Sequence, residues 1–457
     1  MSGYRSRSLW LDDYPLSLEP RPELDGATQV DVAIVGGGYT GLWTAYYLLI
    51  ADPTIRVVVI ERDIVGFGAS GRNGGWCVGE IAGGYAAASR VGGHSGAVKL
   101  LRAGIDSVDE IDRITTKEGI DCDFHKGGTI RLARNRSQLH QQTAEVASDH
   151  QLGLSDDDIR LLDADEAARV CNATSVLGGI YWAACARVHP VKLVRGLAET
   201  VERLGGRIAE GTEATDIEPG VVRTDRGDVR ADIVVRATEG YTPQQKANHR
   251  RLVPLYSLMV ATEPLSDEQW NEIGLTDMET FADDRHLVIY GQRTADGRIA
   301  FGGRGARYGF GSKIDPAIEQ DSATHELLGK TLIELFPSLS NTVLTHRWGG
   351  VLGVPRDWFP SVGLDQRSGM AWGGGYVGEG VAISNLHGRT LADLIVGSAS
   401  ELTTLPWVNH LARDWEPEPL RWLAINGSLK LMEQADASED RKGKPSKRAR
   451  IIHALRR

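Results

Sequence analysis

The residues in this sequence that are best suited to chemistry are glycines spaced for phosphate binding. The segment GGGYTG at 36–41 fits the pattern G-x-G-x-x-G, with Gly36, Gly38 and Gly41 at its three fixed positions. Glycine at these positions permits a tight turn, a close approach of the backbone to a pyrophosphate and a close helix–strand contact. A helix that begins here offers free N–H groups and the positive end of its dipole to the phosphates. The spacing therefore predicts a dinucleotide site.

The segments around these glycines agree with that prediction. The apolar run VDVAIV at 30–35 precedes them, the helix-like LWTAYYLLI at 42–50 follows, and IRVVVI at 55–60 indicates a second buried parallel strand. Glu61 directly follows this run, 20 positions after Gly41, where a carboxylate can accept a hydrogen bond from a ribose hydroxyl. The cofactor-binding residues predicted in this unit are Gly36, Gly38, Tyr39, Thr40, Gly41, Glu61 and Arg62.

Two further glycine-rich loops favour a flavin dinucleotide over a nicotinamide dinucleotide. The first motif alone does not distinguish these two cofactors. The loop GFGASGRNGG at 66–75 has a glycine density that suggests backbone packed closely against a flat ligand. The loop GGGYVGEG at 373–380 opens a helix-like segment, VAISNLHGRTLADLIVG. The positive end of that helix would face the flavin edge on which negative charge builds during reduction.

Composition argues against several other classes of protein. With 457 residues the chain exceeds one compact core, so we expect two interleaved or tandem domains. A net charge of −10 argues against general nucleic-acid binding. The four cysteines are scattered and predict neither a metal site nor a disulfide framework. We find no signal-like N-terminus and no apolar run of about 20 residues, so we expect a cytoplasmic enzyme without a membrane span.

The remaining segments predict the elements that must position these loops. Residues 1–29 are polar and contain proline, which indicates an arm laid on the surface, and residues 95–170 are mostly helix-like. A helix is expected from about Pro190. The charged segment from Asp436 predicts a solvated, partly disordered tail. Runs typical of strands lie at 128–132, 207–210, 221–224, 233–237, 255–262, 286–290 and 298–303, and those from 255 onward predict a mostly antiparallel second sheet.

Several separated segments also carry a family resemblance. They are DVAIVGGGYTGLWTAYYL at 31–48, GASGRNGG at 68–75, the pair His189-Pro190, ATEGYTP at 237–243 and GGGYVGEGVAISNLHGRTLADLI at 373–395. In these segments the chain resembles the FAD-dependent oxidoreductases of the D-amino-acid oxidase, glycine oxidase and sarcosine oxidase superfamily. Its SGRNGG loop is similar to that of γ-glutamylputrescine oxidoreductases and aminophosphonate oxidoreductases. The WLDD arm followed by GGGYTGLW resembles the latter in particular.

The resemblance implies a fold of mixed α/β and α+β class. We expect a discontinuous Rossmann-type FAD-binding domain and a substrate domain built on a mostly antiparallel sheet. The expected division is an N-terminal arm at 1–29, the FAD-binding domain at 30–110, 185–245 and 346–400, a helical and substrate-domain part at 111–184, a second substrate-domain part at 246–345, and a C-terminal helical segment with a basic tail at 401–457.

The resemblance also implies where the flavin is held. Ala214 would lie near the adenine, and Thr238 and Gly240 near the pyrophosphate. The residues expected around the isoalloxazine ring are Ser70, Arg72, Asn73 and Gly74 at one edge and Gly375, Gly378, Gly380 and Val381 at the pyrimidine end. Covalently tethered members use a His or a Cys at positions where this chain has neither, so we expect non-covalent FAD. A tether at Cys77, close to the flavin loop in sequence, stays open.

The activity implied by the resemblance is oxidation of a C–N bond in a small primary or secondary amine. The expected step is hydride transfer to flavin N5, followed by hydrolysis of the imine. The substrate class stays open between an acyl-diamine, an aminophosphonate, an N-methyl amine and an amino acid, and the acceptor between O2 and another electron acceptor. The alternatives are an amine dehydrogenase that uses a quinone or a carrier protein, and a non-catalytic flavin-binding protein. The oligomeric state is also open.

The candidate catalytic residues are Arg72, Tyr376, Lys126 and Tyr290. Arg72 and Tyr376 stand in the two flavin loops, and Lys126 could supply the positive charge that helps oxygen accept electrons. Aromatic walls would favour the neutral amine. The other candidates are Tyr256, Tyr308 and Trp348 as aromatic walls, Arg285, Arg304 and Arg307 as partners for an anionic substrate, and His286 and His346 as groups that tune protonation.

Overall fold

A computed structural model describes residues 2–303, 305 and 307–446 of the chain. The strands are β1 Thr28–Val35, β2 Val57–Ile60, β3 Trp76–Val78, β4 Thr129–Ala133, β5 Ile159–Leu162, β6 Gly178–Trp182, β7 Cys185–Arg187, β8 Arg207–Ala209, β9 Ala214–Glu218, β10 Val221–Thr224, β11 Val229–Arg236, β12 Val253–Thr262, β13 Thr280–Asp283, β14 Ile289–Arg293, β15 Ile299–Gly303, β16 Leu344–Val354, β17 Ser361–Asp365 and β18 Met370–Gly374. The helices are α1 Ser2–Arg5, α2 Leu9–Asp12, α3 Tyr39–Ala51, α4 Gly84–Glu118, α5 Arg136–Gln151, α6 Ala164–Val170, α7 Pro190–Arg203, α8 Asp267–Ile273, α9 Ser322–Leu335, α10 Gly380–Val396 and α11 Leu420–Lys442.

The first sheet has a parallel centre. Strand β1 pairs in parallel with β2 and with β11, and β8 and β18 extend the sheet in parallel on either side. Side chains alternate along β1, so Val32 and Ile34 pack against the helices while Ala33 and Val35 pack against the opposite face. Helices α3, α4, α7 and α10 form the helical layer. This is the Rossmann-type unit that the sequence predicts.

The second sheet runs in the order β16-β12-β15-β14-β13-β4-β6-β5 and is antiparallel except at the β13–β4 pair. Helices α6, α8 and α9 cover one of its faces. The prediction of a mostly antiparallel second sheet is therefore confirmed. The predicted boundary between residues 345 and 346 falls inside β16, which belongs to this sheet. The division into domains otherwise stays a prediction.

Two predictions for local structure were wrong in part. The long helix α4 begins at Gly84, before the expected start at 95, and β5 lies inside the region predicted to be mostly helical. Strand β5 was missed because only its two end residues are buried, which leaves no alternating pattern. The segment from Asp436 continues α11, and the Asp436 carboxylate accepts hydrogen bonds from the backbone N–H groups of His286 and Leu287. The rest of the predicted tail, 447–457, lies outside the described residues.

The prediction of a surface arm at 1–29 was wrong in part, because residues 15–29 are mostly exposed but the segment before them is not. Leu9, Trp10, Leu11 and Tyr14 are all buried and pack in one cluster with residues of β12, β15 and β16. These apolar side chains are few and are closely flanked by charged residues, so they give no periodic signal in the sequence. Their burial depends on the face of the second sheet that the rest of the chain builds.

Candidate active site

A cleft of about 670 Å³ opens at the carboxyl ends of β1, β2 and β11, where Val35, Ile60 and Ala237 form part of its wall. Ligands of open α/β sheets bind at this edge. The predicted cofactor-binding residues that line it are Gly36, Gly38, Tyr39, Thr40, Glu61, Arg62, Ser70, Asn73, Ala214, Thr238, Gly240, Gly378, Gly380 and Val381. The remaining ones, Gly41, Arg72, Gly74 and Gly375, are not part of the lining.

The turn between β1 and α3 has no room for side chains. Gly36 has a φ of +115°, and a Cβ placed there would lie 2.4 Å from the carbonyl oxygen of Ala237. A Cβ at Gly41 would lie 2.1 Å from the carbonyl oxygen of Gly36, so Gly41 sits behind the turn and permits the contact. The backbone N–H of Tyr39, in the first turn of α3, donates to Ser70 Oγ over 2.9 Å. This bare backbone cradle at a helix N-terminus fits a pyrophosphate.

Glu61 holds the same turn from the end of β2. Its Oε2 accepts a hydrogen bond from the N–H of Gly37 over 2.8 Å, and its Oε1 accepts one from the N–H of Asp63 over 3.0 Å. Burial raises the pKa of Glu61 to about 7. The carboxylate therefore faces the cleft next to the phosphate cradle, which fits the ribose of a dinucleotide.

Tyr376 links the two glycine-opened helices. Its hydroxyl lies 2.7 Å from Thr40 Oγ1 in the first turn of α3, and its ring stands just before α10. Burial raises the pKa of the Tyr376 hydroxyl well above its ordinary value, so the hydroxyl stays protonated. Both residues line the cleft. Two helix N-termini thus face one cavity, as the two separated glycine motifs predict.

Glu239 is a cleft residue that the sequence predictions missed. Its carboxylate accepts hydrogen bonds from three backbone N–H groups, those of Gly353 (3.1 Å), Gly375 (2.7 Å) and Tyr376 (3.3 Å). Its φ of 39° lies in the left-handed region, which is uncommon for a residue other than glycine. Burial raises its pKa to about 7. Its signal in the sequence is an acid directly before Gly240, three positions after Arg236, the last residue of β11.

Arg72 lies between the two sheets, outside the cleft lining. Its guanidinium donates to Glu319 over 2.8 Å, to the Tyr241 hydroxyl over 2.8 Å and to the carbonyl of Gly349 over 3.2 Å. The side chain is almost fully buried and lies over the ring of Phe67. The structure therefore places Arg72 where it fixes the flavin loop against the second sheet. Arg72 does not line the cleft, so its catalytic role stays a prediction.

Comparison with known proteins agrees with this geometry. The DAO family of FAD-dependent oxidoreductases matches residues 31–394. This chain belongs to the DAO family. Gamma-glutamylputrescine oxidoreductase of Escherichia coli (strain K12) is 30% identical to it over 397 residues, which are 86% of this chain and 89% of that protein. The predicted class, an FAD-dependent oxidoreductase, is thereby confirmed.

Solved structures show the same fold. The glycine oxidase from Geobacillus kaustophilus superposes with a TM-score of 0.67 at 20% identity, covering 84% of this chain and all of that one. The L-proline dehydrogenase from P. horikoshii superposes with a TM-score of 0.68 at 19% identity, covering 84% of this chain and 96% of that one. At these identities the match concerns the fold, a Rossmann-type FAD domain with a second sheet.

Two predicted catalytic residues of this oxidoreductase also lie outside the cleft lining. Lys126 is exposed, and its Nζ contacts Asp109 Oδ1 at the surface, so it has an acidic partner there. Tyr290 lies on β14 behind the flavin loop, where its hydroxyl is 2.8 Å from Ser257 Oγ. A Cβ at Gly74 would come within 2.4 Å of the Tyr290 ring. Tyr290 therefore supports the loop from the second sheet.

The other aromatic and basic candidates form contacts elsewhere in the fold. Trp348 donates to the carbonyl of Arg72, and Tyr256 accepts from the N–H of Asp315. The contacts of the others are Tyr308 with Ser312, Arg285 with Asp283, His286 with Glu439 and His346 with Asp12. Arg307 is exposed, and Arg304 lies outside the described residues. The cleft lining instead includes Phe67, Tyr241, Val351 and Leu352, which the sequence predictions did not name.

Cys77 and the other three cysteines are free and buried, and burial raises the pKa of the Cys77 thiol well above its ordinary value. Non-covalent attachment of FAD stays a prediction. In the part of the chain that the structure describes, no group of three or more His, Cys, Asp or Glu side chains is arranged for a metal ion. Over residues 2–303, 305 and 307–446, no helix has both the length and the apolar character that crossing a bilayer requires. The cytoplasmic location stays a prediction.

Proposed function

We propose that this chain oxidises the C–N bond of a small primary or secondary amine, with FAD held in the cleft. The observation that carries the proposal is which structural elements form the wall of the cleft. Helices α3 and α10 both begin at it, and Val351 and Leu352 of the second sheet close its other side. A dinucleotide held along the first sheet would meet the second sheet at one end, where a small substrate could approach.

The substrate class we favour is an acylated diamine. The support is the E. coli relative, whose name specifies γ-glutamylputrescine and which aligns with 86% of this chain. The SGRNGG loop at 70–75 is the segment that resembles those enzymes. Aminophosphonates and amino acids are the other classes that we propose to compare.

The chain's own residues would prepare the amine. The aromatic and apolar side chains of Phe67, Tyr241, Val351 and Leu352 line the cleft, and such surroundings disfavour an ammonium ion. A bound amine would thus be held in its neutral form, with its lone pair free. When bound, FAD supplies the two-electron acceptor for this oxidation. Water would then hydrolyse the imine to a carbonyl compound and ammonia or a smaller amine.

An anaerobic absorbance titration tests this proposal. The purified protein with bound FAD is mixed with γ-glutamylated diamines, aminophosphonates, D- and L-amino acids and N-methyl amines. We expect loss of the flavin absorbance band with one class, and no loss with the matched quaternary ammonium analogue, which lacks the lone pair. A bound flavin that no amine reduces would contradict amine oxidation and favour a non-catalytic flavin-binding protein.

The electron acceptor is decided by a second mixing experiment with the reduced protein. Fast reoxidation by dissolved oxygen, with release of peroxide, is the result expected of an oxidase. Slow reoxidation by oxygen together with fast reoxidation by a soluble quinone would instead identify an amine dehydrogenase.

A further inference from the structure

A second cavity, of about 250 Å³, lies apart from the FAD cleft, and among the described residues the two share no lining residue. The N-terminal arm contributes Leu9, Trp10 and Asp13 to its wall. Other parts of the wall come from the segment 187–192, which joins β7 to α7, and from the turn between β14 and β15. A water molecule takes up about 30 Å³, so the space can hold a small organic molecule. We call it the arm cavity.

Arg187 brings an unpaired positive charge to the arm cavity. Its Nε is buried without a hydrogen-bond acceptor, and within the part of the chain that the structure describes its guanidinium forms no ion pair. Burial lowers the pKa of Arg187, and the charge of Asp123 does not offset this effect. A guanidinium in such surroundings is a ready partner for a carboxylate, which it can bind through two parallel hydrogen bonds.

His189 provides a second donor beside Arg187. Strand β7 ends at Arg187 and the backbone is still extended at His189, so both side chains lie on the same side of the chain. Nδ1 of His189 accepts a hydrogen bond from the N–H of Lys192 over 3.2 Å, which leaves the proton of the neutral ring on Nε2. The side chain is 4% exposed, and Nε2 has no hydrogen-bond partner. Asp13 Oδ2 lies 3.7 Å from it, too far for a hydrogen bond.

Three carboxylates line the arm cavity, and two of them are neutralised by a neighbouring cation. Asp123 accepts hydrogen bonds from Lys192 Nζ over 2.9 and 3.1 Å, and Asp296 accepts one from Arg298 Nε over 2.6 Å. Asp13 has no lysine or arginine partner among the described residues, and its side chain is 53% exposed. The arm cavity therefore carries one unpaired negative charge as well as one unpaired positive charge.

We propose that the arm cavity is a second ligand site, which binds a small zwitterionic α-amino acid. Its carboxylate accepts hydrogen bonds from Arg187 and from His189 Nε2, and its ammonium group pairs with Asp13. The two charged groups of an α-amino acid are attached to one carbon atom, so they are close enough to meet His189 Nε2 and Asp13 Oδ2, which are 3.7 Å apart. A simple anion would place a second negative charge beside Asp13, and a simple amine would leave Arg187 unpaired.

Isothermal calorimetry of the FAD-loaded protein tests the inference, with 2-aminoisobutyrate as the probe. This α-amino acid has no hydrogen on its α carbon, so it cannot transfer a hydride to the flavin. Pivalate and tert-butylamine have nearly the same shape, but pivalate lacks the ammonium group and tert-butylamine lacks the carboxylate. We expect 2-aminoisobutyrate to bind at least about tenfold more tightly than either, because each of them loses one charge-assisted contact.

Substitutions in the wall of the arm cavity decide where the probe binds. Arg187→Gln should weaken binding of 2-aminoisobutyrate at least about tenfold, through loss of the partner of its carboxylate. Asp13→Asn should abolish the preference for 2-aminoisobutyrate over pivalate. The matched control is Arg90→Gln on α4, where the side chain is exposed, and this variant should keep the wild-type affinity.

No binding of 2-aminoisobutyrate to the wild type would overturn the inference. Equal affinity in the wild type and Arg187→Gln would also overturn it, and a shifted flavin absorbance band would then place the probe in the cleft. If Arg187→Gln fails to fold, Asp13→Asn decides alone, because Asp13 is exposed, and an unchanged preference over pivalate in this variant would overturn the inference. Failure of the proposed function gives a different result: no amine reduces the flavin, while 2-aminoisobutyrate still binds through Arg187.

Discussion

The Arg72 guanidinium and the Glu319 carboxylate form a buried ion pair, 2.8 Å long, between the flavin loop and the second sheet's side of the molecule. Their side chains are 1% and 8% exposed, and 247 residues separate them in the chain. Two groups that distant in sequence can pair only once both sheets are in place. The pair therefore forms only when the two halves of the cleft are packed together.

Removing one partner of this pair should be costly. We expect Glu319→Gln to lower the free energy of unfolding by about 3 kcal/mol, because Arg72 is left as an unpaired buried charge. Urea denaturation of the apoprotein measures this. The matched control is Glu326→Gln on the exposed side of α9, which should change stability by less than about 0.5 kcal/mol. Equal effects of the two substitutions would show that the buried pair adds nothing.

Gly38→Val should abolish most FAD binding. A Cβ at Gly38 would already lie 2.9 Å from Ser70 Oγ, and the two methyl groups of valine would occupy the cleft. Overpacking of this kind costs about 3 kcal/mol, which corresponds to about a hundredfold weaker binding. Flavin absorbance of the purified variant checks this, with Gly427→Val on exposed α11 as control. Full flavin content in Gly38→Val would contradict the placement of the phosphate site.

The hydroxyls of Tyr376 and Thr40 contact each other, so the effects of their substitutions on FAD binding should depend on each other. We expect Tyr376→Phe to weaken FAD binding about fivefold, through loss of one buried hydrogen bond worth about 1 kcal/mol. In a double-mutant cycle with Thr40→Val, the second substitution should then add almost nothing. FAD affinity from fluorescence titration is the measurement. Fully additive losses would mean that the two hydroxyls do not interact.

Glu239 should make apoprotein stability depend on pH. Burial raises its pKa from the ordinary value of 4.5 to about 7, so the folded state binds its proton more tightly than the unfolded state does. The free energy of unfolding of the wild type should therefore fall, relative to Glu239→Gln, as the pH rises from about 4.5 to 7, by up to about 3 kcal/mol. Below pH 4.5 the difference should be constant. Denaturation at several pH values measures it, with exposed Glu433→Gln expected to follow the wild type.

Lys126 is the residue at which the sequence prediction and the structure differ most directly. A lysine that helps oxygen accept electrons would be needed for fast reoxidation, whereas a surface lysine beside Asp109 would not. We expect Lys126→Met to reoxidise at a rate within about twofold of the wild type, because exposed ion pairs contribute little. Stopped-flow mixing of the reduced protein with oxygen decides. A loss of tenfold or more would restore Lys126 as a catalytic residue.

Local sequence signals account for what was predicted correctly. The turn at Gly36, the first turn of α3 and the acid at Glu61 lie within 26 residues of one another, in one βαβ unit whose geometry is the same wherever it occurs. Four strands of the second sheet, β4, β12, β14 and β15, were found from their β-branched and aromatic runs, whereas β5, β6, β13 and β16 were missed. The start of α7 was found at Pro190, a residue suited to the first turn of a helix.

Short segments with little periodicity account for most of what was missed. The described part of the arm has six buried apolar side chains without a repeat, and Glu239 gains its role from three N–H groups that belong to residues 353, 375 and 376. Neither pattern can be recognised before the partners are known. The same holds for Arg72, Lys126 and Tyr290, whose side chains contact elements remote from the motifs that suggested them.

The sequence by itself determined that a dinucleotide cradle, a flavin loop and a second helix N-terminus exist, because each depends on backbone conformation within a few neighbouring residues. Only the tertiary structure decided which side chains face the cleft. Thr40 and Tyr376, 336 residues apart, and Ser8 and Gly71, 63 residues apart, meet because two sheets, the arm and the helical layer pack in one arrangement. That arrangement is set by the sum of many apolar contacts across the chain, which no local pattern encodes.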